Sequence, residues 1–108
     1  MSARLLNLND PKDLEEFFNA LKEFGFKVVN NQSARSILIE GSVEYFRYYG
    51  NDAFKIIIWT ENAELIICKC VDYYLISLYA PGKFGQFKLS KDIIIVFEMT
   101  HLMIEYLG

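Results

Sequence analysis

Glu98, His101 and Glu105 come nearest, in type and spacing, to a reactive or metal-ligating set in this 108-residue chain. At i, i+3 and i+7 they share one face of a helix, and Glu-x-x-His is the spacing used by di-iron bundles. Those centres need two such motifs and two further carboxylates from other helices. This chain has one motif and a single histidine. As a general acid or base, His101 would need a cleft and a reactive partner, and spacing places no serine or cysteine beside it. The simpler expectation is the solvated stripe of a surface helix.

Cys68 and Cys70 put two thiols on one face of an extended segment. A zinc site needs about four ligands in tetrahedral array, and thiols two residues apart on a strand join poorly as a disulfide. They read as small, part-buried apolar groups. Arg47, Lys83 and Lys88 stand among Tyr45, Tyr48, Phe84 and Phe87, and rings on a sheet with basic side chains are the recipe for single-stranded nucleic acid. Yet Glu40, Glu44 and Asp52 lie among these cations, and the formal net charge is −3. A nucleic-acid contact through Arg47, Lys83 and Lys88 is therefore the alternative reading rather than the leading one. No glycine-rich phosphate loop, HExxH, GxSxG or calcium-loop pattern occurs, and no cofactor is expected.

What positions these residues is a long apolar block, Ala53 to Ala80. Its Ile, Val, Trp, Tyr and Phe residues fit a pleated surface. Ala53–Thr60, Ala63–Cys70 and Tyr73–Tyr79 read as strands, with a turn at Glu61-Asn62 and a second reversal or a bulge near Val71-Asp72. Both faces of this meander are apolar. Ile56 and Ile58 point one way, Ile57 and Trp59 the other, whereas a half-solvated sheet should alternate apolar with polar. Something must cover each face.

Before the block, Met1–Asn9 is a lead-in or a short edge strand. Asp10 caps a helix, Pro11 takes its first position, and Leu14, Phe17, Phe18 and Leu21 line its buried side. Gly25 ends it. Short strands follow at Phe26–Asn30, Ala34–Glu40 and Val43–Tyr49, with a hairpin turn at Gly50-Asn51-Asp52. After the block, Ala80–Lys88 reads as a glycine-containing loop. Ser90 then caps a second helix to Leu107, apolar around most of its circumference apart from Lys91, Glu98, His101 and Glu105.

These elements define one α+β domain over residues 1–108: an antiparallel meander of five or six strands flanked by an N-terminal and a C-terminal helix, in two layers. With both helices on one face, the opposite face is bare and larger than a monomer tolerates. The expected function is a non-enzymatic accessory or adaptor module that forms a homodimer or binds a protein partner. The expected contacts are Ile57, Trp59, Ile66, Tyr73, Tyr74, Met99 and Met103. The N-terminal residues lack the apolar core of a signal peptide, and no apolar run is long enough for a membrane span. The cysteine usage gives no disulfide framework. A cytoplasmic location is expected, and the many Ile and Lys residues point to an AT-rich or thermophilic source.

Overall fold

A computed structural model describes residues 3–47 and 53–106. Its elements are β1 (Arg4–Leu6), α1 (Pro11–Glu23), β2 (Val28–Asn31), β3 (Ser36–Glu40), β4 (Ser42–Arg47) and β5 (Phe54–Trp59). They continue with β6 (Glu64–Lys69), β7 (Tyr73–Ala80), β8 (Lys83–Ser90), β9 (Ile94–Glu98) and β10 (His101–Glu105). The strands form two sheets, in the orders β1-β8-β7-β6-β5-β4 and β2-β3-β10-β9. This overturns the expected single sheet between two helices: among the described residues there is one helix and there are two sheets. The expected Gly50-Asn51-Asp52 turn and Tyr48 lie outside the described residues.

The central block forms as its alternation requires. β5, β6 and β7 pair antiparallel in sequence order. The first reversal is closed by the Thr60 N–H donating to the Ala63 carbonyl at 2.8 Å, the second by Cys70 N–H to Tyr73 O at 2.9 Å. Ile56, Ile58, Leu65, Ile67, Ile76 and Leu78 are all buried on the inner face. They meet Ile37, Ile39, Leu102 and Ile104 of the four-stranded sheet and Phe17 and Leu21 of α1 in one core. The second layer is thus a sheet and a helix side by side.

α1 follows its sequence signals. The Asp10 carboxylate accepts from Lys12 N–H at 3.0 Å, and Pro11 opens the helix. Gly25, at φ 101°, reverses the chain. Phe26 N–H to Leu21 O and Gly25 N–H to Lys22 O, both 3.0 Å, complete the left-handed cap.

Two stretches differ from expectation. The Ala80–Lys88 loop is a tight turn at Pro81-Gly82, with Gly82 at φ 73°, followed by a full strand, β8. Gly85 within that strand is a packing residue: a Cβ there would lie 3.1 Å from the Phe24 ring, so its absence lets the end of α1 sit against the sheet. The expected helix from Ser90 to Leu107 is instead the hairpin β9–β10, joined at Met99-Thr100. β-Branched Ile93-Ile94-Ile95-Val96 favours extended backbone. Leu102 and Ile104 point inward and are buried, while His101, Met103 and Glu105 alternate with them.

The sheets are joined at a corner. β3 ends at Glu40 in the smaller sheet and β4 begins at Ser42 in the larger, so Gly41 alone makes the change. Its N–H donates to the Thr100 carbonyl at 3.0 Å, and Val43 N–H donates to Met99 O at 2.9 Å. The tip of the β9–β10 hairpin is thereby fastened to the corner.

Candidate interaction face on the six-stranded sheet

Strand register turns the outward residues of the central block into rows that cross the sheet. One row runs Ser42, Trp59, Glu64, Tyr79, Phe84. The next runs Glu44, Ile57, Ile66, Ser77, Gln86, and the third Phe46, Lys55, Cys68, Leu75, Lys88, Leu5. No described helix or strand lies across these rows, since α1 and the four-stranded sheet pack on the other side. Ile57, Trp59, Ile66, Cys68 and Leu75 are half-buried by their neighbours alone, and Phe46, Tyr79, Phe84 and Leu5 are exposed around them. The Tyr79 and Phe84 rings pair at 5.2 Å, and Gln86 Nε2 donates to Ser77 Oγ at 3.2 Å.

Four of the seven expected contact residues, Ile57, Trp59, Ile66 and Tyr73, therefore share this face. Tyr74 does not. It points inward, its ring 6.1 Å from Phe54, and burial pushes its phenol above the usual range. Met103 lies on the outer face of the other sheet, and Met99 is exposed in the hairpin tip beside the corner. The C-terminal helix expected to carry these methionines is a hairpin, so a helical contact surface is excluded there. The sequence reading passed over Leu75 and Phe46. Their parity was readable, but only register sets them beside Cys68 and Lys55.

Charge divides along the strands. Lys55 and Lys88 share the third row, with Arg47 and Lys69 one position further toward the same end of the sheet. Glu44 and Glu64 occupy the first two rows, with Glu61 in the turn beyond. The lysines lie over rings: Lys55 5.1 Å from the Phe46 centroid, Lys88 4.6 Å from Tyr73, Lys69 5.9 Å from Phe54. Lys83 is at the opposite end, over Phe24 and donating to Glu23 O at 3.2 Å. The Arg47, Lys83 and Lys88 set is thus split between the two ends.

Cys68 and Cys70 are reduced and half-buried. Burial chiefly raises the Cys68 thiol above its ordinary range, Cys70 adds to this, and Lys55 opposes it. A raised value means less thiolate near neutrality. In a Cys70→Ser background, Cys68 alkylation by iodoacetamide should therefore be slow at neutral pH. Its rate should climb to a midpoint above the ordinary thiol value of about 8.5. A midpoint at or below that value would show Lys55 outweighing burial.

Glu98 and His101 face each other across the β9–β10 hairpin, not along a helix. His101 Nδ1 stands 4.0 Å from Glu98 Oε2, and its other cross-strand neighbour is Glu40, which pairs with Lys27 at 3.6 Å. Glu105 is four residues along β10, at the far end of the strand. Among the described residues no group of three or more His, Cys, Asp or Glu side chains is placed to hold a metal.

Two shallow depressions flank Trp59. One, of about 370 Å³, is lined by Trp59 to Glu64 and Tyr79 to Pro81. The other, of about 350 Å³, is lined by Gly25, Lys27, Glu40 to Ser42, Trp59, Thr60 and Thr100. Both are open to solvent. No described helix is long and apolar enough to cross a membrane. Comparison with protein-family models, curated proteins and solved structures finds no match.

Proposed function

We propose that the protein is a non-enzymatic interaction module that docks on itself or on a protein partner through the outer face of the six-stranded sheet. The observation that supports this is the row structure of that face. Ile57, Ile66, Leu75 and Trp59 adjoin one another across three strands, and no described helix or strand lies over them. Five of the six strands, about 4.8 Å apart, each offer some 20 Å of length, so the face, charged and polar residues included, has a footprint of roughly 500 Å². Trp and Tyr at such a face are the types that dominate binding energy. The same reading puts the protein in the cytoplasm, where Cys68 and Cys70 stay reduced.

The test is site-specific cross-linking in extract of the native host. A photo-reactive residue at Leu75 should yield one discrete adduct, and the same residue at Glu15, on the exposed side of α1, should not. Equal, diffuse labelling from both positions would count against the face as a docking surface.

A second reading draws on the cations at one end of the sheet, Lys55 and Lys88 with Phe46 and Tyr73 on the outer face, and Arg47 and Lys69 with Phe54 on the opposite face. It predicts oligonucleotide binding that weakens steeply with added salt. Absence of binding at low ionic strength removes it.

A further inference from the structure

We infer that the occupant of the outer face is a second copy of this chain, laid on it with its strands running in the opposite direction. The inference rests on the docking reading above and deepens it. Its own support is the polarity of the face. Lys55 and Lys88 stand at one end of the strands and Glu64 at the other, with Glu44 in the middle row beside the apolar residues Ile57 and Ile66.

A two-fold axis lying in the face can reverse the strand direction or preserve it. If it preserves direction, lysine row meets lysine row and carboxylate meets carboxylate. If it reverses direction, the lysine end of each copy lies over the carboxylate end of the other. Because the axis is a two-fold, each favourable contact occurs twice. The lysines are already laid down across Phe46 and Tyr73 at 5.1 and 4.6 Å, so their stems extend the apolar surface and their heads point to its rim. A face of this footprint is at the small end of stable interfaces, which bury about 800 Å² on each partner. Association should therefore fall in the micromolar range.

The experiment is sedimentation velocity on the whole chain from about 1 to about 500 µM, at low and at high salt. The wild type should form dimers that weaken as salt rises, because the rim contacts are attractions between exposed charges. Ile66→Asp should weaken association by about 100-fold or more, by leaving a carboxylate buried among apolar groups. The doubles Lys55→Glu/Lys88→Glu and Glu44→Lys/Glu64→Lys should each weaken it by about tenfold. Mixing the two doubles should restore wild-type affinity. These surface doubles keep the test decisive should Ile66→Asp fail to fold.

A wild-type dimer that tightens with salt, or a mixture that binds much more strongly than wild type, would overturn the reversed orientation. Loss of dimer with Ile66→Asp but not with either double would do the same, leaving the face as the docking surface. A dimer indifferent to Ile66→Asp would overturn the docking reading itself. A monomer throughout the range would overturn the second copy, and a Leu75 adduct heavier than a doubled chain would then assign the face to another protein.

Discussion

Gly41→Val should leave most of the chain unfolded in mild denaturant that the wild type tolerates. A Cβ at this position would lie 2.8 Å from Ile58 Cγ1 and 2.8 Å from the Trp59 carbonyl oxygen. Ile58 is fully buried and Trp59 O is backbone, so neither can yield cheaply. Gly41→Ala should cost about 2 kcal/mol, within the range for overpacking a tight site. The valine, with two more methyl groups at the same place, should cost about twice that, a large share of the roughly 5–15 kcal/mol of a typical domain. Urea unfolding followed by tryptophan fluorescence reads both, since Trp59 adjoins the corner. Wild-type midpoints for both variants would show that the chain does not change sheets at Gly41. The effect would reach the docking face as well, because the corner holds Ser42 and Trp59 in its first row.

The second large effect separates two adjacent residues. Leu102 is fully buried between Ile39 and Phe97, whereas Met103 faces outward between Leu38 and Val96. Leu102→Asp combines a lost core side chain with an unpaired carboxylate and should cost about 4 kcal/mol or more. Met103→Lys keeps its stem on the sheet and should stay within about 0.5 kcal/mol of wild type. Thermal melts by circular dichroism decide this. In a helix apolar round most of its circumference, both substitutions would be harmful. The strand alternation makes one harmful and its neighbour harmless.

That contrast also explains where the sequence misled. The stretch from Ile94 to Glu105 carries apolar residues on both faces of its hairpin, because Val96 and Met103 point outward. The period-two signal is thereby erased, and a broad helical stripe fits equally well. Its turn, Met99-Thr100, has no residue at positive φ, so it lacks the Asn or Gly that marks many hairpins. β8 was hidden for a different reason. Gly82 and Gly85 read together as a flexible loop, yet one makes a turn and the other makes room for Phe24.

The central strands were legible because Ile56, Ile58, Leu65 and Ile67 alternate with Lys55, Ile57, Glu64 and Ile66, and because Glu61-Asn62 and Val71-Asp72 punctuate them. α1 was legible from Asp10-Pro11 and Gly25. The composition of the outer face was half legible. Parity separates Ile57, Trp59 and Ile66 from the core side. Which strand lies beside which, and hence the segregation of Lys55 and Lys88 from Glu44 and Glu64, is a property of pairing that no local pattern encodes.

The smaller sheet is assembled from two hairpins that are far apart along the chain. β2–β3 comes early and β9–β10 late, and they are joined by the pairing of Ile37 with Ile104 and its neighbours. β1 likewise finds its parallel partner only in β8. Such distant contacts slow folding, because loop entropy is lost before they form. On the ribosome, β2 and β3 must wait with Ile37 and Ile39 unsheltered until the β10 segment emerges. A nascent chain stalled before His101 should therefore recruit chaperones that the finished chain does not need.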